Sequence, residues 1–306
     1  MQIDIVQPGE YRQLFPHPQH VFNSVDFTEL NKDKCSSVQY LCFSENKARI
    51  GLVMGEKDGQ FWSPFSAPFG GFDANQPDRI EYYDEAVALL KAHLAAAGTP
   101  LKIVLPPTVY GSYTAKMYNA LIRGGARLLF SELNYAYELD RFKDFEANLD
   151  RSARKNFHNA RQYPFEFQKL ERTPENITRA YTVIRGNRES KGYALQMSLD
   201  GVLQTAPVVG AEFFVMSLDG ADVAAAMVYP VAEEISQVIY WGDAPGYADC
   251  RAMNYFTYKV FEHYFKKGLK ILDIGPSSVE GVPNYGLCSF KENLGCTISL
   301  RHVFQL

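Results

Sequence analysis

The run "VIYWGDAPGYADCRAMNYFTYKVFEHYFKKGLKILDIGP", Val238 to Pro276, decides how this chain is read. It opens with β-branched and aromatic residues that suit a strand. It breaks at Pro245 and Gly246 and resumes with Met253, Phe256, Val260 and Tyr264 at helical spacing, so the pattern predicts a helix with one apolar face. Gly268 stands where that helix ends, and "LKILDIGP" follows as a short apolar strand.

Working outward, "AEFFVMSLDGADVAAAMVYPV" just upstream reads as a hairpin around "LDGA". The first half of the chain repeats this order. "SVQYLCFSENKARIGLVMG" is a hairpin around "SENK", and "GQFWSPFSAPFGGF" is a strand that breaks into a Pro/Gly loop. "DRIEYYDEAVALLKAHLAAAG" is a helix with Ile80, Tyr83, Val87, Leu90 and Leu94 on one face, Asp78 placed to cap it and Gly98 placed to end it. "LKIVLPP" is the strand after it. The turns at Ser44 and Ser217 lie about 170 residues apart, as do the helices and the "LKI" strands. The chain therefore reads as two copies of one α/β unit, with domains at 1–150 and 151–306.

Two further elements, the helix "SYTAKMYNALIRGGA" and the strand "RLLFSELNYAYELD", complete the first half. The link "FEANLDRSARKNFHNARQYPFEFQKLE" starts as a helix and turns into a strand at Pro164. Its Arg151, Arg154, Lys155, His158 and Arg161 recur every three or four residues and share a helical face. That face is either solvated or a clamp for the phosphates of a nucleotide, coenzyme or tRNA. Thr173 and Pro174 then start another helix.

Near the C-terminus, "GLCSFKENLGC" sets Phe290 and Lys291 between two glycines, after the turn-rich "GPSSVEGVPNYG". Two readings compete: the start of a strand with an edge charge, or a lysine held at a reaction centre.

The composition bounds the rest. With 306 residues, 46% of them hydrophobic, the chain has material for two folded domains. A net charge of −4 disfavours a globally basic nucleic-acid binder. The 19 Tyr and 21 Phe suit deep clefts as well as cores. Five cysteines without a CxxC pair read as reduced thiols of a cytoplasmic protein. Cys288, Cys296 and His302 lack zinc-like spacing, so no metal is expected. The N-terminus shows no signal-peptide pattern and no stretch has the length of a membrane span. HExxH, GxSxG and P-loop patterns are absent, which leaves hydrolase and nucleotidase readings without support.

Three segments together resemble the Fem-type (FemABX-like) branch of the GNAT acyltransferase superfamily: "RSARKNFHNARQYPFEF", the Val238–Pro276 run, and "GLCSFKENLG". The resemblance implies an α/β (α+β) protein of two tandem GNAT-like domains, each a mixed central sheet flanked by helices. It implies an N-acyltransferase that moves an acyl or aminoacyl group to an amine through a tetrahedral intermediate. The donor is acyl-CoA or aminoacyl-tRNA, and the acceptor a small-molecule or nucleotide-linked amine. Lys291 is then the candidate oxyanion stabiliser, with Phe290 beneath it; either Tyr240 or Trp241 lines the cleft while the other faces the core, and Tyr240 is also a candidate proton donor. Asp273 either orients the amine, acts as base, or merely holds a turn. Arg251 and Asn254 stand where such a domain cradles the coenzyme pyrophosphate, but Asn254 replaces the first glycine, so the cradle is degenerate. Arg154 and Lys155 would grip an anionic substrate. The rival from another class is a GNAT-like binding protein without catalysis.

Overall fold

A computed structural model describes residues 1–75 and 79–306. Contacts group the chain into two units: residues 1–133 with 278–282 and 299–306, and residues 134–277 with 283–298.

In the first unit, β1 (Gln2–Val6), β2 (Ser37–Glu45) and β3 (Lys47–Lys57) form an antiparallel meander, with α1 (Pro8–Leu14) and α2 (Val25–Asn31) between β1 and β2. β3 pairs with β4 (Gln60–Ser63) and with β5 (Phe72–Ala74). The helix α3 (Ile80–Ala97) runs to Gly98 in the left-handed region, as the pattern predicts. Tyr83, Val87, Leu90 and Leu94 are its buried face. Asp78, expected to cap it, lies outside the described residues. β6 (Leu101–Val104) returns parallel to β4, followed by α4 (Tyr113–Arg123) and β7 (Arg127–Glu138).

The second unit opens with α5 (Phe145–Asn148), α6 (Arg151–Ala160) and β8 (Glu166–Leu170). Thr173 caps α7 (Pro174–Ser190) by accepting from Asn176 N, as its sequence position implies. After α8 (Leu199–Val209), the hairpin β9 (Glu212–Leu218) and β10 (Ala221–Ala232) leads to β11 (Ile235–Asp243), α9 (Ala252–Lys267) and β12 (Ile271–Pro276). Residues 134–138 of β7 pair antiparallel with β12, so the sheet order here is β7-β12-β11-β10-β9-β8. β12 lies parallel to β11 as β6 lies parallel to β4, so the repeated order seen in the sequence is a repeated topology.

The remaining elements are the two-residue strands β13 (Ser278–Val279) and β14 (Val282–Pro283), the helix α10 (Tyr285–Asn293), and β15 (Thr297–Gln305), which pairs with β6. The Phe-Lys segment is therefore helical, which corrects the strand reading. Asn284 accepts from Leu287 N at the start of α10, and Gly295 sits at φ +77 just past its end. Those two caps, with Cys288 and Lys291 three apart facing inward, make a helix the natural state of this stretch. No helix among the described residues is long and apolar enough to cross a membrane.

Candidate active site

In the second unit the parallel ladder between β11 and β12 lasts only from Ile235–Ile271 to Gln237–Asp273. Two irregularities end it. Opposite β10, Met227 pairs with Tyr240 while Val228 pairs with Val238, leaving Ile239 as an extra residue on β11. Such a bulge bends a strand and re-aims its side chains. On the far side of β12, the pairing with β7 is interrupted between Asp273 and Pro276, where Gly275 adopts φ +75. The strands thus diverge into a wedge at their C-terminal ends.

A wedge in a sheet leaves carbonyls without ladder partners, and burying them unpaired is costly. Here the partner is Lys291. Its Nζ donates to the carbonyls of Ile274 at 2.8 Å, Gly275 at 2.7 Å and Pro276 at 3.2 Å. An ammonium has three N–H groups, and all three are engaged. The residue is 2% exposed, and its Nζ also lies 5.4 Å from the centre of the Tyr135 ring. Burial pulls its pKa down to about 8, and the nearby Asp273 carboxylate works against that fall.

Asp273 is fully buried within β12. It accepts from Asn134 Nδ2 at 2.9 Å, Gln237 Nε2 at 2.8 Å and Gly275 N at 2.8 Å. This is the geometry of a carboxylate that holds a turn and joins three strands.

The bulge also explains why neither aromatic at the end of β11 is fully buried. Tyr240 turns toward α7, where the Arg188 guanidinium lies 5.0 Å from its ring centre. Burial raises its phenol pKa, with Arg188 opposing. Trp241 turns toward α10 and meets Phe290 edge-on at 6.4 Å. Lys291, Asp273, Tyr240, Trp241 and Phe290 therefore come together around one wedge.

The other four sequence candidates lie elsewhere in this unit. Arg251 is exposed and takes the left-handed φ +53 as N-cap of α9, while Asn254 N donates to Arg251 O at 3.0 Å. That amide is therefore engaged in starting the helix. Arg154 donates to the carbonyls of Glu146, Ala147 and Leu149 at 2.9, 3.2 and 3.1 Å, which caps the end of α5. His158 and Arg161 each lie 3.4 Å from Glu146. Lys155 is exposed on the same helix. Among the described residues, no group of three or more His, Cys, Asp or Glu is placed to hold a metal.

Sequence reading passed over Arg188, Tyr193, Asn134 and Gln237. Asn134 and Gln237 orient Asp273 from two neighbouring strands, a relation visible only once the strands are paired.

The first unit treats its wedge differently. β4 and β6 pair from Phe61–Leu101 to Ser63–Ile103 and then part. The following segment folds back into the gap: Gly70 N donates to Val104 O at 2.9 Å, and Gly71 N to Ser63 Oγ at 3.2 Å. Phe69 is wholly buried there against His20, Phe22 and Tyr110. A Cβ on Gly70 would sit 2.8 Å from Pro64 N, so only glycine fits this fill.

Compared with solved structures, the chain is similar to FemX over 99% of its own length and 97% of that chain, at TM-score 0.71 and 12% identity. It has the FemX fold. The C-terminal domain of a putative lysylphosphatidylglycerol synthetase from Agrobacterium fabrum is similar too, at TM-score 0.65 and 11% identity, over 98% of this chain and 92% of that one. A tandem GNAT protein from the clavulanic acid biosynthesis pathway matches over 99% and 98% at TM-score 0.50 and 11% identity. No family model matches the sequence, and no curated protein does. The likeness is one of fold: two tandem GNAT-like domains, each a mixed sheet flanked by helices. In this chain the wedge of the second unit stays open and that of the first is filled.

Proposed function

We propose that the protein is an N-acyltransferase whose second unit binds an acyl-CoA donor along the wedge between β11 and β12 and passes the acyl group to an amine. The observation that carries this reading is the divergence of the two strands beside a buried lysine. Strand edges in a wedge offer unpaired backbone groups to an extended amide-bearing donor, in the manner of strand addition. The attacking amine forms the new C–N bond and gives up its proton to water. The carbonyl oxygen takes up negative charge, and collapse expels the thiolate. Lys291 would meet that charge by yielding its longest bond, the one to Pro276 O at 3.2 Å. Asp273 would act through Lys291 and the Gly275 turn, as a positioning residue. Tyr240 would protonate the leaving group, and Trp241 with Phe290 would wall the acyl chain. Arg251 and the N-terminal end of α9 would meet the coenzyme phosphates.

Aminoacyl-tRNA is the alternative donor. The engagement of Arg154 with carbonyls, and of His158 and Arg161 with Glu146, leaves α6 a weak surface for RNA and favours the coenzyme. A non-catalytic binding role is favoured by one observation, the full engagement of Lys291.

Thermal-shift titration with coenzyme A, short and long acyl-CoAs, and charged tRNA, followed by amine acylation assays with any stabilising donor, tests the reading. A melting temperature that rises with acyl-CoA concentration, lost in Arg251→Ala, is the expected result. Stabilisation by tRNA alone moves the chain to the aminoacyl donor, and binding without turnover makes it a receptor.

A further inference from the structure

Among the described residues, Arg188, near the C-terminal end of α7, is a cation for which the fold supplies rings instead of an acid. Nearby, Arg185 faces Glu189 at 3.8 Å, Lys191 faces Asp243 at 3.3 Å, and Arg179 chelates Asp222 through its Nε and Nη2 at 2.6 and 2.7 Å. The half-buried Arg188 guanidinium lies 5.0 Å from the Tyr240 ring centre and 5.9 Å from that of Tyr193. Among the described residues it has these ring contacts and no hydrogen bond or ion pair.

Both rings are fixed to the wedge. Tyr240 follows the bulge on β11, and the Tyr193 hydroxyl accepts from Asn284 Nδ2 at 3.3 Å, the residue that caps α10. An arginine held by aromatic rings keeps its position without using up its N–H groups. It is weakly hydrated and presents a planar edge of paired donors, the shape that takes an oxyanion through two parallel hydrogen bonds.

We propose that Arg188 binds an oxyanion, a carboxylate or a phosphate, carried by the substrate that enters the wedge of the second unit. This rests on the wedge being a substrate site and adds the substrate's charge to that reading.

The test uses the full chain and two probes, inorganic pyrophosphate and succinate, with binding followed by isothermal titration calorimetry at constant ionic strength. Wild type is expected to bind at least one probe, and the preferred probe assigns phosphate or carboxylate as the source. Affinity should fall about tenfold or more in both Arg188→Ala and Arg188→Lys, since lysine keeps the charge but not the fork. Arg185→Ala, one turn away, should bind as wild type does. Melting curves of the unliganded variants establish that each is folded, and Arg188→Lys carries the test if Arg188→Ala is not. Binding of neither probe to wild type, binding unchanged in the folded Arg188 variants, or binding fully retained by Arg188→Lys overturns the proposal. Acyl transfer is scored separately. Transfer with Arg188-independent binding removes this inference alone, whereas Arg188-dependent binding without transfer removes the transferase and leaves the anion site.

Discussion

A lysine buried to 2% exposure is tolerated at position 291 because three carbonyls of β12 receive its three protons. Replacing it by methionine keeps the bulk and leaves those carbonyls with nothing. Lys291→Met is expected to lower stability by about 3 kcal/mol in urea unfolding, the range for stranding buried polar partners. A result near zero would mean that water reaches the carbonyls. The sequence singled out this lysine through the company of Phe290 and two glycines. What it did not contain was the lysine's occupation. Nothing in "SFKEN" states that Ile274 to Pro276 will turn their carbonyls toward position 291, because that depends on where β11 and β7 abandon β12. The same gap hid Arg188, whose isolation is defined by acids that are elsewhere.

At the scale of elements, α10 is the piece that borders the wedge, and its start rests on one side chain. Asn284→Ala removes the cap that accepts from Leu287 N at 3.0 Å and, with it, the bond to the Tyr193 hydroxyl. About 1 kcal/mol of stability should go, read as a lower thermal midpoint. Trp241 fluorescence should shift as well, since Phe290 rides on the same helix. The hairpins, α3, α7 and α9 were all legible from periodicity and caps. α10 was not, although both of its caps are written in the sequence. With an apolar face limited to Cys288, its periodicity is too faint to separate nine residues of helix from a strand.

For the whole molecule, each unit carries buried ionisable groups whose proton affinity folding has changed, Asp73 and His20 in the first and Lys291 in the second among them. In the first unit, burial raises the Asp73 carboxyl to about 7, against a bond from Gln19 N. The folded chain therefore holds a proton there that the unfolded chain has released, so the Asp73 contribution to stability falls as pH rises from about 4 to 7, while buried His20, lowered to about 4, contributes a rise over about pH 4 to 6.5. In the second unit, Lys291 is depressed to about 8. The unfolded chain there holds the extra proton, so stability rises from about pH 8 toward 10.5. Unfolding free energy against pH, compared between wild type and variants, reads each group separately: the stability difference between wild type and Asp73→Asn should fall as pH rises from about 4 to 7, and that between wild type and Lys291→Met should rise from about pH 8 toward 10.5. A difference for Asp73→Asn that does not change with pH would contradict the burial of its carboxyl. The duplicated architecture itself was readable from the constant offset between its halves. Which copy keeps an open wedge was not, since the fill in the first unit depends on Gly70 and Phe69 meeting β6 in space.

The three carbonyls around Lys291 have one more consequence. A protein that handles activated acyl groups endangers its own amines, because an exposed lysine beside a thioester is itself an acceptor. At neutral pH the Lys291 nitrogen is mostly protonated, and each of its protons points into β12. On the proposed reading it would be a charge that a substrate feels and, while protonated, an amine that cannot attack it. The fold would thereby keep a lysine beside reactive chemistry without offering it as an acceptor.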